Sequence, residues 1–172
     1  MGTISKIEKV KLIMGVLYND AVNIEEIYIL LKNKFGKIDN KSSGINFNYT
    51  DYYNKEMGSC IIRQFISFEK LIEMENLAEI KILTNKIEVD NSSGCKRNIN
   101  LDPGYIELGK LVLASTKNYT HRIYIGNGIF AEPTLQFFHK TFTKWPFSYP
   151  DYSDEFAIVF FNEVRAVYKK QL

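Results

Sequence analysis

Asn98–Glu132, NINLDPGYIELGKLVLASTKNYTHRIYIGNGIFAE, holds the densest set of turn signals in the chain. Asp102-Pro103 is a favourable helix start: Asp accepts from free backbone N–H groups, and Pro at the first helical position loses no bond. A helix from Pro103 to about Ser115 would group Leu108, Leu111, Val112 and Ser115 on one face. Gly104 and Gly109 oppose it by roughly 1 kcal/mol each relative to Ala, and Leu111–Ala114 also reads as a strand. Further on, Asn127-Gly128 predicts a type I′ hairpin between His121–Gly126 and Ile129–Lys140. Pro133 places that second strand at an edge or at a bulge.

Two motif-like spacings occur in the same stretch. Gly104 to Leu111 approaches the phosphate-binding pattern G-x-x-x-x-G-K-[ST]. However, Leu111 stands where a hydroxyl should hold Mg²⁺, and no partner strand for the metal is evident. Gly126–Ala131 fits G-x-G-x-x-G/A but leads into a strand, not a helix, which rules out a dinucleotide turn.

The hairpin offers chemistry instead. With a two-residue loop, Ile125 opposes Phe130, Ile123 opposes Glu132, and His121 opposes Thr134. His121 and Glu132 then lie diagonally on one face, about 7–8 Å apart, with Arg122 and Tyr124 on the other. A histidine beside a carboxylate is a candidate general base or metal ligand; equally, it is a structural hydrogen bond at a sheet rim. Lys117, with Asp102 and Lys110, would join such a site. His139, among Phe137, Phe138 and Phe142, reads as a packing residue.

Outward from this stretch the elements are plainer. Val10–Tyr18 is an apolar run of buried-strand length. Asn23 and Glu26 form an N-x-x-E capping box for a helix with Ile24, Ile27, Tyr28, Leu31 and Phe35 on one face, stopped by Gly36. Ser43–Tyr49 alternates as a half-buried strand, Thr50–Gly58 holds a turn or two of helix, and Ser59–Phe68 is a strand. Asn76 and Glu79 repeat the cap before a helical stripe reaching Ile87, and Arg97–Leu101 is a short strand. Ser153 caps a long C-terminal helix with Phe156, Phe160, Val164 and Val167 on a face. The order β-α-β-β-α-β-α-β-β-α specifies a single α+β domain over 1–172, with a mixed sheet of about six strands and helices packed on it. Its first six elements follow ferredoxin-like order.

With 172 residues, 45% of them apolar, and twelve Phe and eleven Tyr, the chain can bury a sizeable core rich in aromatic rings. Its net charge of +2 is too small to argue for nucleic acid or an anionic membrane, so RNA binding by stacking is the weakest of the functional classes. Cys60 and Cys95 lack CxxC spacing and read as free thiols of a reducing cytosol. No leader or membrane-spanning run is expected, which places the protein in the cytoplasm.

TDYYNKEMG at Thr50–Gly58, NLDPGY at Asn100–Tyr105, KLVLASTK at Lys110–Lys117, HRIY at His121–Tyr124 and YPDY at Tyr149–Tyr152 together resemble an uncharacterised bacterial and archaeal family, domain of unknown function 4416, noted for its DPGY motif. The resemblance covers nearly the whole chain. Members are sometimes labelled GTP-binding, but the resemblance carries over no activity, metal or cofactor. It does imply Asp51, Tyr53, Glu56, Asp102, Tyr105, Lys117, His121, Arg122 and Glu132 as the positions that matter.

Two function classes follow. In one, the protein binds or acts on a nucleotide or other phosphorylated small molecule: Lys110, Lys117 and Arg122 hold the anion, and His121 with Glu132 does acid–base work or binds a metal. In the other, it is a non-catalytic interaction module whose tyrosines form a docking surface, for a partner or as a homo-oligomer.

Overall fold

A computed structural model describes residues 2–3, 6–94 and 96–172. In chain order the elements are β1 (Val10–Tyr18), α1 (Ile24–Phe35), β2 (Ile38–Lys41), β3 (Ile45–Asn46), α2 (Asn54–Met57), β4 (Ile62–Ile72), a 3-10 turn (Met74–Asn76), α3 (Leu77–Asp90), β5 (Ile99–Ile106), β6 (Lys110–Ser115), β7 (Ile123–Gly126), β8 (Ile129–Phe138), β9 (Thr141–Lys144), α4 (Pro150–Ser153) and α5 (Glu155–Gln171). The strands form one sheet in the order β2-β4-β1-β5-β6-β8-β7, with β3 beside β4 and β9 beside β8.

β1 is the axis of the sheet. β4 and β5 pair with its two edges and helices cover its two faces, so its residues from Val10 to Leu17 are all buried. Leu12, Met14 and Val16 point to α1 and α3, where they meet Ile27, Leu31, Ile80 and Ile87. Ile13, on the opposite face, joins Phe65, Leu111, Leu135 and the α5 residues Phe160, Phe161 and Val164. The molecule is therefore three layers, helices–sheet–helix. Burying each large apolar side chain contributes about 1.5–3 kcal/mol.

The order β1-α1-β2, β4-α3-β5, with β4 inserted between the two strands of the first crossover, is the ferredoxin-like arrangement expected from the sequence. That insertion also corrects the expectation of a mixed sheet. The crossover strands never touch, every pairing is antiparallel, and the strands number nine among the described residues, not about six. β2, IDNK, has no apolar alternation to announce it, whereas only Ile45–Asn46 of the expected Ser43–Tyr49 strand pairs.

The main correction concerns 103–115. No helix forms there; β5 runs through the DPGY motif, Leu108-Gly109 turns, and β6 returns. Local preference for an Asp-Pro helix start loses to a close strand approach that only glycine permits. A Cβ on Gly104 would lie 2.3 Å from the Val112 carbonyl oxygen and 2.6 Å from Leu113 Cδ2. Gly104 thus sits inside a strand and not in a phosphate loop.

The caps differ in detail. Asn23 Nδ2 donates to Glu26 Oε1 at 2.8 Å, so the two side chains bind each other and not the backbone. Asn76 ends a 3-10 turn without capping α3. Asp154, one residue after the expected Ser153, accepts from Phe156 N at 3.2 Å to cap α5. His139 is exposed, not packed: with φ 48° it forms, with Lys140 at φ 68°, the turn between β8 and β9. Cys60 is a free, exposed thiol; Cys95 lies outside the described residues. No helix among the described residues is long and apolar enough to cross a membrane.

Candidate functional site

The sheet is split. β5 and β6 pair only at Gly104↔Leu113, Tyr105↔Val112 and Ile106↔Leu111. Beyond Gly104 stands Pro103, which has no N–H to offer a neighbour, and from there β5 follows β1 while β6 follows β8. Asp102 is left on one lip of the opening and Ala114 and Ser115 on the other. A cavity of about 390 Å³ lies over the split on the α5 side, and a hollow of about 300 Å³ opens toward α3. Tyr52, Tyr53, Asp102, Ser115, Lys117 and Tyr149 border both.

The floor of the larger cavity is built by strand alternation. In β4, Gln64, Ile66 and Phe68 face the α1 layer, so Arg63 and Phe65 face α5. Arg63 is almost fully buried, with its guanidinium carbon 5.5 Å from the Phe47 ring, 5.4 Å from Phe65 and 5.3 Å from Tyr152. Pro150 starts the single turn of α4, which delivers Asp151 and Tyr152 into the same space. Asp151 Oδ2 lies 2.5 Å from Arg63 Nη2, and Asp102 Oδ2 lies 3.6 Å from Arg63 Nη1. Gly15 of β1 lies beneath: a Cβ there would be 2.0 Å from the Tyr152 hydroxyl and 2.8 Å from Arg63 Nη1.

Charges alternate along the split. Arg97 binds Glu56 at 2.6 Å and Glu88 at 3.3 Å. Lys81 lies 3.8 Å from both Glu88 and Asp102, donates to the Leu101 carbonyl at 2.8 Å, and Asp102 in turn faces Arg63. Burial raises the Glu88 carboxyl above its ordinary value against the pull of Lys81, and does the same to Asp151 against Arg63. For Arg63 burial favours loss of the proton, but Asp151 and the other surrounding anionic groups outweigh it and hold the guanidinium charged. Burial likewise raises the Tyr53 and Tyr152 phenols. Tyr49 is pushed up to about 12, first by burial and then by its bond to Asp154.

The hairpin residues meet, by a route different from the expected register. Asn127 and Gly128 have φ 54° and 75° and make the two-residue turn, but a bulge between Tyr124 and Gly126 shifts the pairing to Tyr124↔Phe130 and Ile123↔Ala131. His121 and Arg122 precede the strand, and both reach Glu132: His121 Nε2 at 3.2 Å and Arg122 Nε at 2.6 Å. The expectation that Arg122 faces away from Glu132 is thereby corrected. Arg122 also donates to Ser115 Oγ at 2.7 Å, the Lys117 carbonyl at 2.8 Å and the Tyr149 hydroxyl at 2.5 Å, which ties the loop after β6 to α4. Glu132 accepts a third bond from Thr134 Oγ1 at 3.0 Å. His121 stacks on Phe147, centroids 4.2 Å apart, outside the cavity lining. Pro133 sits at a bulge, Val112 pairing with Pro133 and Leu111 with Leu135, in a strand that is interior to the sheet.

Of the residues singled out from the sequence, Tyr53, Asp102, Lys117, Arg122 and Glu132 line the larger cavity, and Lys117 Nζ donates to the Tyr52 hydroxyl at 3.0 Å. Glu56 reaches only the smaller hollow, through Arg97. Asp51 accepts from Asn54 Nδ2 at 2.7 Å and shapes the α2 turn. Tyr105 and Lys110 are elsewhere: Tyr105 packs with Val10 and Leu77, and Lys110 pairs with Glu107 at the far end of β6. Arg63, Asp151 and Tyr152, which also line the larger cavity, are not marked by any catalytic or binding motif in the sequence. A charge inside the apolar run IIRQFISF was the signal for Arg63, and YPDY was in hand without its destination. No group of three His, Cys, Asp or Glu suited to a metal ion occurs among the described residues.

No curated protein and no solved structure matches the chain. The TDYY, DPGY, KLVLASTK, HRIY and YPDY stretches each contribute to the lining of the larger cavity. Residues 8–168 match the family described as a domain of unknown function (DUF4416), and the chain belongs to that family.

Proposed function

We propose that the cavity over the β5–β6 split is a small-molecule site, and that the protein binds or acts on a nucleotide or other phosphorylated small molecule. The observation that carries this is the composition of one concavity. It has the volume of a ligand pocket, and its walls combine six tyrosines (Tyr49, Tyr52, Tyr53, Tyr119, Tyr149 and Tyr152) with Arg63 and Lys117. Aromatic faces stack on a planar base or sugar, and the cations receive a phosphate. Six of the eleven tyrosines line this hollow, which favours a small ligand over a flat docking surface. Arg122, with its donors committed to Glu132, Ser115, the Lys117 carbonyl and Tyr149, positions the wall and does not grip the ligand. His121 and Glu132 act with it as a clamp. A cytoplasmic setting belongs to the same proposal, supported by two cysteines without paired spacing.

The test is thermal unfolding of the wild-type protein in a panel of nucleoside monophosphates and sugar phosphates. A ligand at a hundred times its Kd stabilises by about 2.7 kcal/mol, or roughly 5–10 °C in a chain of this size. Exposed Lys117→Ala reduces the shift, and Lys110→Ala, remote from the cavity, leaves it intact. A wild-type melting temperature indifferent to every compound overturns the reading.

A further inference from the structure

We propose that the acidic group of the ligand docks at the inner end of the cavity, on Arg63 Nη1 and the Tyr152 hydroxyl above Gly15. This deepens the reading of the cavity as a site for a phosphorylated molecule and rests on it. Within the floor, Arg63 Nε, Arg63 Nη1, the Tyr152 hydroxyl and Asp151 Oδ2 are buried and make no hydrogen bond, three donors beside one acceptor. Arg63 and Tyr152 are each about 2% exposed, so water does not satisfy these groups freely. A buried donor left unpaired is costly, more so when it is charged, and a packing role needs no such groups.

The arrangement around them is that of a socket. Glycine at position 15 lets the Tyr152 hydroxyl and Arg63 Nη1 both rest against the β1 backbone, since a Cβ would come within 2.0 and 2.8 Å of them. Phe47, Phe65 and Tyr152 surround the guanidinium with rings and lower the local dielectric, which strengthens its attraction for an anion. Asp151 Oδ2 forms an ion pair with Nη2 at 2.5 Å, whereas Asp102 faces Nη1. Asp102 accepts from Asn100 Nδ2 at 2.9 Å, lies 3.8 Å from Lys81 and stands 3.6 Å from Nη1, beyond hydrogen-bond length. Nη1 therefore keeps its donors for a phosphate oxygen, and Tyr152 supplies a second, neutral donor beside it. The class of ligand is a phosphate monoester whose organic part lies outward against Tyr52 and Tyr53.

Arg63→Ala strands Asp151 without its cation and is expected to lose the fold, so the test uses Tyr152→Phe. The hydroxyl has no partner in the protein, and its removal leaves stability to urea unchanged or slightly raised. Calorimetric titrations of wild type and Tyr152→Phe with inorganic phosphate, a nucleoside monophosphate and its parent nucleoside are then compared. Tyr152→Phe is expected to weaken the phosphate and the monophosphate about tenfold and to leave the nucleoside unaffected. A variant that binds the monophosphate as tightly as wild type overturns the subsite while the cavity reading stands. A wild type that takes neither phosphate nor monophosphate removes both.

Discussion

Gly15 shows how much of the site depends on one missing side chain. The cavity floor is the backbone of the central strand, and the Tyr152 hydroxyl and Arg63 Nη1 occupy the place where a Cβ would stand. Gly15→Ala is expected to destabilise the protein by about 1–3 kcal/mol in urea unfolding, because the rings holding Tyr152 on Phe161 and Phe65 resist its displacement. Adding Tyr152→Phe removes the atom in closest conflict and restores part of the loss; strict additivity of the two would contradict the packing described. Asp151 makes a second prediction at this scale. Burial raises its carboxyl above the ordinary 3.8, so the folded protein holds a proton that the unfolded chain releases. Stability from this group is present below that pH and is lost as the pH climbs through the raised value. Asp151→Asn, which cannot titrate, should therefore gain on wild type as the pH rises across that window. A stability difference constant with pH would contradict this.

At the scale of elements, the separation of β5 from β6 creates the site, and the Arg122 clamp holds its far wall in place. Glu132 is 1% exposed and accepts from Arg122 and Thr134. Arg122→Ala leaves a buried carboxylate without its cation and is expected to cost about 3–5 kcal/mol, measured by chemical denaturation. His121→Ala, which removes a partly exposed ring, should cost under about 1 kcal/mol. Equal losses would contradict the assignment of Arg122 as the principal partner. The strands and helices with a clean period were legible in the sequence: β1, α1, α3, α5 and the Asn127-Gly128 turn. The DPGY region was not. Asp102-Pro103 is a favourable local start for a helix, and what overrides it, beyond the local cost of Gly104 and Gly109, is the Val112 carbonyl pressed against Gly104, a contact between strands that no local rule contains. The site divided in the same way. Lys117, Asp102 and the Arg122–Glu132 pair lie within Asn98–Glu132, close enough in sequence for turn signals to group them. Arg63 and Asp151 meet only because β4 and α4 are brought together by the layers on either side of the sheet.

For the molecule as a whole, a ferredoxin-like half and an antiparallel extension share one sheet, and the place where they part is the place where chemistry collects. A split sheet leaves backbone and polar groups facing an opening, and alternating charges from Glu56 to Asp151 line it. Tyrosines from loops distant in sequence close over it, so the opening is a concavity with an aromatic rim and not a defect in the core. The most direct measurement is a crystal structure of the wild-type protein with the nucleoside monophosphate that raises its melting temperature most. The phosphate is expected against Arg63 Nη1 and the Tyr152 hydroxyl, with the base against Tyr52 and Tyr53. A nucleotide bound at another surface, with the cavity over the split unchanged, would contradict it.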